Sequence, residues 1–588
     1  KNNLIMKRIY SKISVVLNSQ LKKSCLYYFF LFLPATLLEM ISLASLPIFL
    51  IFINEPHTII EAIPFINLPN FILEFNLIER SIYGSFFLIL VFFLKSLYLV
   101  FLAYTEKNLT KNLTVHLSSN LYKYYLSRPY NFYLENNPNK LIQNMGDSQR
   151  STGVVLNFLN LIKEILLFIS ILVALMLIDP LVIILIVSVL LIPILVFKFL
   201  LKNKLKHQGE LARNFRIHAL KDLSEGFSGI KFTKLIKKEN VLEKNFINNL
   251  SRALGLDLIL VFLNKMPKIF LELFSLIIVL LIINYMYHLE KGFEEILPLL
   301  SFIVICIVRL IPSTGSIISS INYFKFNSVS LDTIYNAKIN LKNENQDFTK
   351  KENLKKIDLK YNQKIILDNI SFNYKNSNKV ISNFSITINP GEKIGITGTS
   401  GDGKTTLIDL ILGFLKPTSG DIKYGENNIN SIINAWQNII CFVPQTVNLF
   451  DDTIEKNITY NLNKKTDNNL LQDCIEIAGL KNFINDLPEG LETQIGHLGG
   501  RLSGGQVQRI GIARALYRKP KVLFLDEATN ALNDELEKEV LSRIFSNSEI
   551  TVIIISHEKS VLKNCQKIIS INKGRKSFEG SYQKYINL

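Results

Sequence analysis

Cysteine is scarce in this sequence, and its spacing excludes two classes of site. The chain of 588 residues contains five cysteines, and no two of them form a CxxC pair. Widely separated cysteines without such a pair argue against a disulfide framework and against a zinc site. We therefore expect reduced thiols, which fit a reducing cytoplasm.

The sequence also lacks a nucleic-acid-binding motif, although its formal net charge is +17. A DNA- or RNA-binding protein would join such a charge to a recognition motif. Here the lysines and arginines cluster beside apolar runs, which is the distribution that orients a chain in a membrane. The charge therefore predicts a membrane protein and no nucleic-acid partner.

Hydrophobic residues make up 48% of the chain, and they are unevenly distributed. Long runs with almost no charge lie in the first part of the chain, whereas the last part has the pattern of a soluble α/β protein. We predict an all-α transmembrane domain over residues 1–340, a linker over 341–361 and a cytoplasmic α/β nucleotide-binding domain over 362–588.

A membrane-crossing helix needs about 20 apolar residues. Six stretches qualify, at about residues 25–53, 82–104, 154–178, 181–201, 269–287 and 296–318. Basic residues are frequent in alternate connections, which predicts that both termini and the soluble domain are cytoplasmic. The first stretch is too long for a signal peptide and no small-residue cleavage site follows it, so we expect it to be retained.

The two inner connections, beginning near residues 105 and 202, are long and have helical patterning. We predict that the membrane helices continue well past the bilayer and turn at short elbows. Separate cytoplasmic subdomains are the alternative, but these segments are too short to build a core of their own.

The soluble part contains the most specific motif. Residues 387–396 predict a strand, a turn and a strand, and a glycine-rich loop and an apolar helical run follow. Glycines let backbone N–H groups converge on phosphates at a helix N-terminus, which is a P-loop. Lys404 would reach the β- and γ-phosphates, and the Thr405 hydroxyl would bind Mg²⁺. The predicted loop residues are Gly398, Thr399, Ser400, Gly401, Asp402, Gly403, Lys404, Thr405 and Thr406.

An apolar strand over residues 522–525 ends in two acids, Asp526 and Glu527. Alone, this is no more than a charged strand end. Together with a P-loop, it predicts that Asp526 holds Mg²⁺ and that Glu527 polarises the attacking water as general base. The two motifs predict ATP hydrolysis with Mg²⁺.

A third motif, LSGGQ at residues 502–506, opens a helix, and its small residues form a second phosphate-binding end. At this motif the chain resembles the ABC transporter superfamily over essentially its whole length, and residues 449–458 resemble the exporter branch. The resemblance implies that the soluble domain is an ABC ATPase. It also implies that the motif contacts ATP through Ser503, Gly504, Gly505 and Gln506.

The same resemblance gives roles to three further residues. Tyr374 would stack on adenine, and Gln445 would join Thr405 and Asp526 around Mg²⁺. His557 would contact the γ-phosphate as a second catalytic residue. A histidine after a strand is usually structural, and only its place in this series of motifs favours the catalytic role.

Two positions depart from the family's pattern. Asn533 stands where an aspartate is usual, which we expect to weaken communication between two ATP sites. His497 stands where exporters usually have a glutamate. Neither change removes a group that contacts phosphate, so we still expect hydrolysis.

The chain has one P-loop and one LSGGQ motif. By resemblance, each ATP lies between the P-loop of one subunit and the LSGGQ motif of another. We therefore expect a homodimer, or a pair with a related half-transporter.

Few residues of the sequence indicate what cargo is moved. Lys95, Lys268 and Arg309 lie within or beside predicted spans, where charge is costly and usually faces a wet cavity or a partner. They predict either a basic cavity for an anionic cargo, or ion pairs with Glu39, Glu164 or Glu272 together with snorkelling of the fifth-span Lys268 to the interface. The two readings remain open at this point.

An apolar outer loop, broken by Pro64 and Pro69, could touch a lipid tail or simply pack over the helices. With Trp436, this layout resembles the lipid-linked oligosaccharide flippases of bacterial protein glycosylation. We expect ATP-driven export or flipping of an amphipathic, lipid-linked saccharide across a bacterial inner membrane. A general lipid, drug or peptide exporter is the alternative, and an ATP-gated channel or regulatory membrane ATPase is a further one.

Overall fold

The computed structural model describes residues 2–54, 76–176, 187, 204–288, 293–352, 362–374, 379–460, 466–496 and 500–587. The chain divides into two compact units. The first comprises Lys1–Arg128 and Phe132–Thr349, and the second comprises Pro129–Asn131 and Lys350–Leu588. The division after Thr349 falls within the predicted linker, although the last helix before it continues to Glu352 instead of ending near residue 340.

All the described regular structure before residue 353 is helical. The helices are α1 (Asn2–Val16), α2 (Ser19–Phe30), α3 (Phe32–Asn54), α4 (Leu77–Leu126), α5 (Tyr130–Glu135), α6 (Pro138–Met176), α7 (Lys204–Ser228), α8 (Ile230–Ile236), α9 (Glu239–His288) and α10 (Phe293–Glu352). This confirms the prediction of an all-α membrane domain.

Within the described residues, five helices are long and apolar enough to cross a membrane: Ser19–Ile53, Leu77–Leu126, Pro138–Met176, Glu239–Asn284 and Leu300–Asn340. Five of the six predicted spans fall on them. The fourth predicted span, 181–201, lies outside the described residues apart from residue 187. The chain is a multi-pass membrane protein.

Helices α4 and α9 extend far beyond the apolar thickness of a bilayer. Helices α4 and α9 each have 50 residues, which is about 75 Å at 1.5 Å per residue, against about 30 Å of hydrocarbon. The short helices α5 and α8 follow α4 and α7 as elbows. The inner connections are therefore helical extensions, as predicted.

A leucine stripe holds one of these extensions in its bundle. Leu109, Leu113, Leu117 and Leu121 repeat every four residues on α4 and are at most 5% exposed. Residues at this spacing share one helix face. They belong to the same buried cluster as residues of α1, α6 and α10, so the α4 extension packs through a continuous apolar seam.

The second unit is α/β. Its strands are β1 (Ile365–Asn373), β2 (Lys379–Ile388), β3 (Lys393–Thr397), β4 (Ser419–Tyr424), β5 (Asn427–Asn428), β6 (Ile440–Val443), β7 (Val522–Asp526), β8 (Thr551–Ile555), β9 (Lys567–Asn572) and β10 (Arg575–Gly580). They form a sheet of order β2-β1-β4-β5 and a sheet of order β10-β9-β3-β8-β7-β6.

Helices connect and cover these strands. They are α11 (Lys404–Ile411), α12 (Ile433–Ile439), α13 (Ile454–Thr459), α14 (Asn468–Ile477), α15 (Lys481–Asn485), α16 (Gly504–Tyr517), α17 (Asp534–Ser546), α18 (Lys559–Leu562) and α19 (Tyr582–Ile586), with a 3₁₀ turn at Gly490–Glu492.

The larger sheet positions the site. Strands β3, β7 and β8 run parallel, and every residue in them is buried. Continuous apolar runs such as Val522–Leu525 are typical of strands covered on both faces. In such sheets ligands bind beyond the carboxyl ends of the strands, and there β3 leads into the predicted P-loop and β7 ends at Asp526.

Candidate nucleotide-binding site

The predicted P-loop spans the turn between β3 and α11, and two of its glycines are required by geometry. Gly403 is the residue before α11 and has φ +97°, a conformation that favours glycine. Gly398 has φ +149°, and a Cβ on it would lie 2.4 Å from the carbonyl oxygen of Ile571. The loop can therefore bring its backbone N–H groups to the N-terminus of α11, where anions bind.

Lys404 begins α11 and folds back over the loop. Its ammonium donates hydrogen bonds to the carbonyl oxygens of Gly398 at 2.7 Å and Thr399 at 2.9 Å. The side chain is largely buried, so its charge is kept at the loop that would hold the phosphates. This position fits the role predicted for Lys404.

Asp402 is buried inside the loop. Its Oδ2 accepts hydrogen bonds from the Thr399 backbone N–H at 2.6 Å and the Thr399 hydroxyl at 2.8 Å, and its Oδ1 accepts one from the Lys573 N–H at 2.9 Å. The Lys573 and Thr399 donors hold the pKa of Asp402 below its usual range. Its position in the loop is as predicted, but its carboxylate binds protein groups.

The acids at the end of β7 differ in environment. Asp526 is 7% exposed, and burial, with a further contribution from Glu527, raises its pKa to about 6. Burial also raises the pKa of Asp409 on α11 to about 6, and the neighbouring Asp526 charge adds to that rise. The nearby Lys404 charge partly offsets the rise in the pKa of Asp526.

This donor set fits Mg²⁺. The predicted ligands, Thr405, Gln445 and Asp526, supply hydroxyl, amide and carboxylate oxygens, which are the hard donors Mg²⁺ prefers. Mg²⁺ usually binds through one or two carboxylates together with substrate phosphates. The described residues contain no cluster of three or more His, Cys, Asp or Glu side chains that could hold a metal ion.

Glu527 lies at the centre of a polar group. Gln445 Nε2 donates to Glu527 Oε2 at 2.8 Å, and Asn530 Nδ2 donates to the same oxygen at 3.2 Å. His557 Nε2 is 3.5 Å from Glu527 Oε1. The structure thus brings three sequence-predicted residues, Gln445, Glu527 and His557, into contact.

The backbone at Glu527 is also unusual. Its φ is +48°, a left-handed conformation that a residue with a side chain rarely adopts. Its N–H donates to the Ile555 carbonyl oxygen at 3.2 Å, which ties it to the end of β8. Such outliers concentrate at functional sites, where surrounding contacts hold them. The contacts at Glu527 include the hydrogen bonds that Gln445 and Asn530 donate to its carboxylate.

Tyr374 follows β1 and lies close to α11. Its hydroxyl is 3.2 Å from the Thr406 hydroxyl, and its ring packs edge-on against Phe372 with centroids 4.9 Å apart. The aromatic ring and the phosphate-binding helix are therefore neighbours, which is what a nucleotide spanning them requires. The stacking of Tyr374 on adenine stays a prediction.

The LSGGQ motif begins α16 with a reciprocal cap. The Ser503 hydroxyl accepts the Gln506 N–H at 3.3 Å, and the Gln506 side chain accepts the Ser503 N–H at 2.8 Å. Ser503 is exposed, so this helix end faces solvent. Both hydrogen bonds of this cap lie within the first turn of α16.

Gln508, which the sequence argument did not identify, links the motif to the acids. Its Oε1 accepts the Ala531 N–H at 3.0 Å, and its Nε2 donates to the Glu527 carbonyl oxygen at 3.4 Å. A buried glutamine on a helix has no local signal of such a role. Only the fold brings α16 against the segment that follows Glu527.

The two departures can now be located. Asn533 caps α17, because its Oδ1 accepts the Leu536 N–H at 3.2 Å. An aspartate would cap this helix equally well, so the change removes a charge without removing the cap. His497 lies outside the described residues.

The three basic residues predicted for a cargo cavity all have carboxylate partners. Glu39, which is 6% exposed, accepts both Lys95 Nζ at 2.9 Å and Arg309 Nη2 at 2.7 Å. Lys268 lies 3.9 Å from Glu272 on the same helix, and both are well exposed. The ion-pair alternative therefore has structural support, and the cavity role stays a prediction.

Comparison with known proteins agrees with this geometry. Residues 381–530 match the family model described as ABC transporter. A bacterial Atm1-family ABC exporter with ATP bound has a similar fold, with a TM-score of 0.77, 18% identity, and 97% of each chain covered. At this identity the likeness shows the fold alone.

Among curated proteins, similarity is strong but partial. The ATP-dependent lipid A-core flippase of Bordetella avium is 38% identical over 210 residues, which is 35% of either chain. The multidrug resistance protein sirA of Leptosphaeria maculans is 36% identical over 228 residues, 38% of this chain and 18% of that protein. The alignments thus cover about a third or less of these relatives.

Proposed function

We propose that this chain is one half of an ATP-driven exporter. Residues 381–530 match the ABC transporter family model, and the fold is that of an ABC exporter. The carrying observation is the contact of Glu527 with Gln445 and His557 at the sheet edge where β7 ends. These groups meet beside a P-loop in a chain that also has membrane-crossing helices.

In this proposal, ATP binds the P-loop backbone and Lys404, with its adenine on Tyr374. Mg²⁺, held by Thr405, Gln445 and Asp526, would neutralise phosphate charge. Glu527 would orient and deprotonate the attacking water. The amides of Gln445 and Asn530 donate to its Oε2 and hold the carboxylate in position. His557 Nε2 lies 3.5 Å from the other oxygen of this carboxylate, and His557 would contact the γ-phosphate.

The working unit in this proposal is a dimer, most simply of two identical copies. Ser503 is exposed, and its cap hydrogen bonds are made with Gln506 in the same motif. A second copy would bring its own exposed helix end to the first copy's nucleotide. A two-fold axis would make both sites equivalent. A related half-transporter could take the same place.

For the cargo, we propose an amphipathic, lipid-linked saccharide moved across a bacterial inner membrane, with the ATPase domain cytoplasmic. The name of the Bordetella relative, a lipid A-core flippase, supports this class. The name of the fungal relative, a multidrug resistance protein, favours the alternative of a general exporter. Trp436 carries no weight here, because it is fully buried and its Nε1 donates to the Ile411 carbonyl oxygen at 2.8 Å.

The test is reconstitution in lipid vesicles with fluorescent cargo. We expect continuous ATP hydrolysis and ATP-dependent flipping of a lipid-linked oligosaccharide, faster than flipping of phospholipid or uptake of drug controls. The Glu527→Gln variant is the matched control for leakage. Turnover with equal movement of all cargoes would support a general exporter. A conductance with little turnover would indicate an ATP-gated channel.

A further inference from the structure

We propose that Asp402 is a positioning residue that fixes the P-loop relative to the strand following Tyr374, and that ATP affinity depends on its carboxylate. This inference rests on the proposed function, since it concerns the same nucleotide site. It assigns to Asp402 a role that operates through protein contacts and not through contact with ATP.

Asp402 joins two segments that are far apart in the chain. Its side chain accepts three hydrogen bonds, two from Thr399 within the P-loop and one from Lys573 in the turn between β9 and β10. Its own carbonyl oxygen accepts a fourth, from the Gly574 N–H at 3.1 Å. The loop and the turn are therefore held at two points.

The turn is itself held against β2. The Gly574 carbonyl oxygen accepts the Ser382 N–H at 2.9 Å. A Cβ on Gly574, which has φ +75°, would lie 2.0 Å from the Val380 carbonyl oxygen, so the two backbones are in close contact. Hydrogen bonds thus run from the P-loop through the turn to β2.

This connection spans both ends of the nucleotide site. Strand β2 is the next element after Tyr374, the residue predicted to hold adenine, and the P-loop is predicted to hold the phosphates. Tyr374 also reaches α11 directly, through the Thr406 hydroxyl. A site whose two ends are fixed before binding loses less conformational freedom when ATP binds.

The chemistry of the contacts requires a carboxylate. Three donors converge on two oxygens, and an ionised carboxylate only accepts. In Asp402→Asn, an NH₂ group replaces one carboxylate oxygen. This group cannot accept a hydrogen bond, so it would face the donors of either Thr399 or Lys573 without bonding to them. In Asp402→Ser, the side chain is too short to accept the Lys573 N–H from the turn between β9 and β10. Both variants lose contacts that are charge-assisted and stronger than neutral ones.

If Asp402 acted on ATP only through its charge, replacing it would change the ATP affinity in the opposite direction. A carboxylate beside Lys404 would repel the phosphates and weaken binding, so its removal would tighten ATP binding. The direction of the change in affinity therefore separates the two roles.

The experiment measures equilibrium binding of a fluorescent ATP analogue, and ATPase KM and kcat, on the full chain in nanodiscs. For Asp402→Asn and Asp402→Ser we expect Kd and KM to rise about ten-fold, with kcat within about three-fold of wild type. Asp486→Asn, an exposed acid on the same unit, should leave all three unchanged. Thr399→Ala removes the hydroxyl that donates to Asp402 and should raise Kd by about three-fold. If the Asp402 variants do not fold, this variant tests the inference in their place.

Unchanged or tighter binding in the Asp402 variants that fold, or in Thr399→Ala, would overturn the inference. A wild-type protein that binds ATP but does not hydrolyse it would overturn the proposed function instead. Binding would still report on Asp402 in that case.

Discussion

Replacing Glu39 by glutamine separates the two roles open to Lys95 and Arg309. Glu39 lies on α3 and is 6% exposed, and it accepts contacts from Lys95 on α4 and Arg309 on α10 at 2.9 and 2.7 Å. Lys95 also donates to the Ser42 hydroxyl at 2.9 Å. Three helices therefore meet at a single carboxylate, with two cations for one anion.

The cost of Glu39→Gln follows from this stoichiometry. Removing one partner of a buried pair costs about 3–5 kcal/mol, because the remaining charge stays in a poorly solvated place. The Arg309 side chain is 30% exposed and the Lys95 side chain 17%, so both retain some solvation. We therefore expect Glu39→Gln to lower the free energy of unfolding by about 3 kcal/mol, the lower end of this range. Lys95→Met should cost less, since it leaves Glu39 and Arg309 as a balanced pair.

Thermal unfolding in detergent measures this difference. We expect the unfolding midpoint to fall by several degrees in Glu39→Gln and by clearly less in Lys95→Met. Glu272→Gln is the matched control, because its contact with Lys268 is 3.9 Å long and both side chains are more than half exposed. Such exposed pairs contribute about 0–1 kcal/mol.

The reasoning would be refuted if Glu39→Gln unfolded at the same temperature as Glu272→Gln. That result would mean that Glu39 does not hold the two cations, and it would favour a basic cavity. A well-folded Lys95→Ala/Arg309→Ala protein with unchanged ATPase and lost flipping would then assign both cations to an anionic cargo. Full transport by the same protein would exclude that assignment.

Four further predictions concern the ATPase domain. Glu527→Gln should retain ATP binding and lower the hydrolysis rate by about 10²–10⁴-fold, because the amide is no base; near-normal turnover would contradict its role. Lys404→Ala should instead weaken ATP binding itself, measurable by titration, and unchanged affinity would contradict the assignment. Asn533→Asp should raise the hydrolysis rate or its Hill coefficient, and an unaltered pair of values would make the departure neutral. Burial raises the pKa of Glu537 from 4.5 to about 7, so between these values the folded chain keeps a proton that the unfolded chain releases; the unfolding midpoint should fall as pH rises from about 4.5 to about 7, and Glu537→Gln should remove that part of the fall.

The parts of the site that the sequence predicted are those encoded by local spacing. Glycines at fixed offsets between a strand and a helix specify the P-loop, and an apolar strand ending in Asp526 and Glu527 places two acids at one sheet edge. The helical extensions of α4 and α9 were likewise predictable, since apolar and helical periodicity continue over neighbouring residues.

The parts that the sequence left open depend on long-range contacts. Glu39 lies on α3 and Arg309 on α10. They are near opposite ends of the first unit's sequence, so no spacing rule pairs them. Asp402 and Lys573 are 171 positions apart, and Gln508 reaches Glu527 only because the fold brings α16 against the segment that follows β7. Side-chain hydrogen bonds of this kind are set by tertiary packing, which periodicity does not describe.

The most direct test of the central claim, that ATP binds between two copies, is complementation of two defective chains. One copy carries Lys404→Ala and the other Ser503→Arg, both with Glu527→Gln so that ATP is held and not hydrolysed. In a mixed dimer, the intact P-loop of one copy meets the intact LSGGQ motif of the other. We predict that labelled ATP survives rapid gel filtration with the co-expressed pair and with neither variant alone. Retention by the pair no greater than by the separate variants would contradict the account.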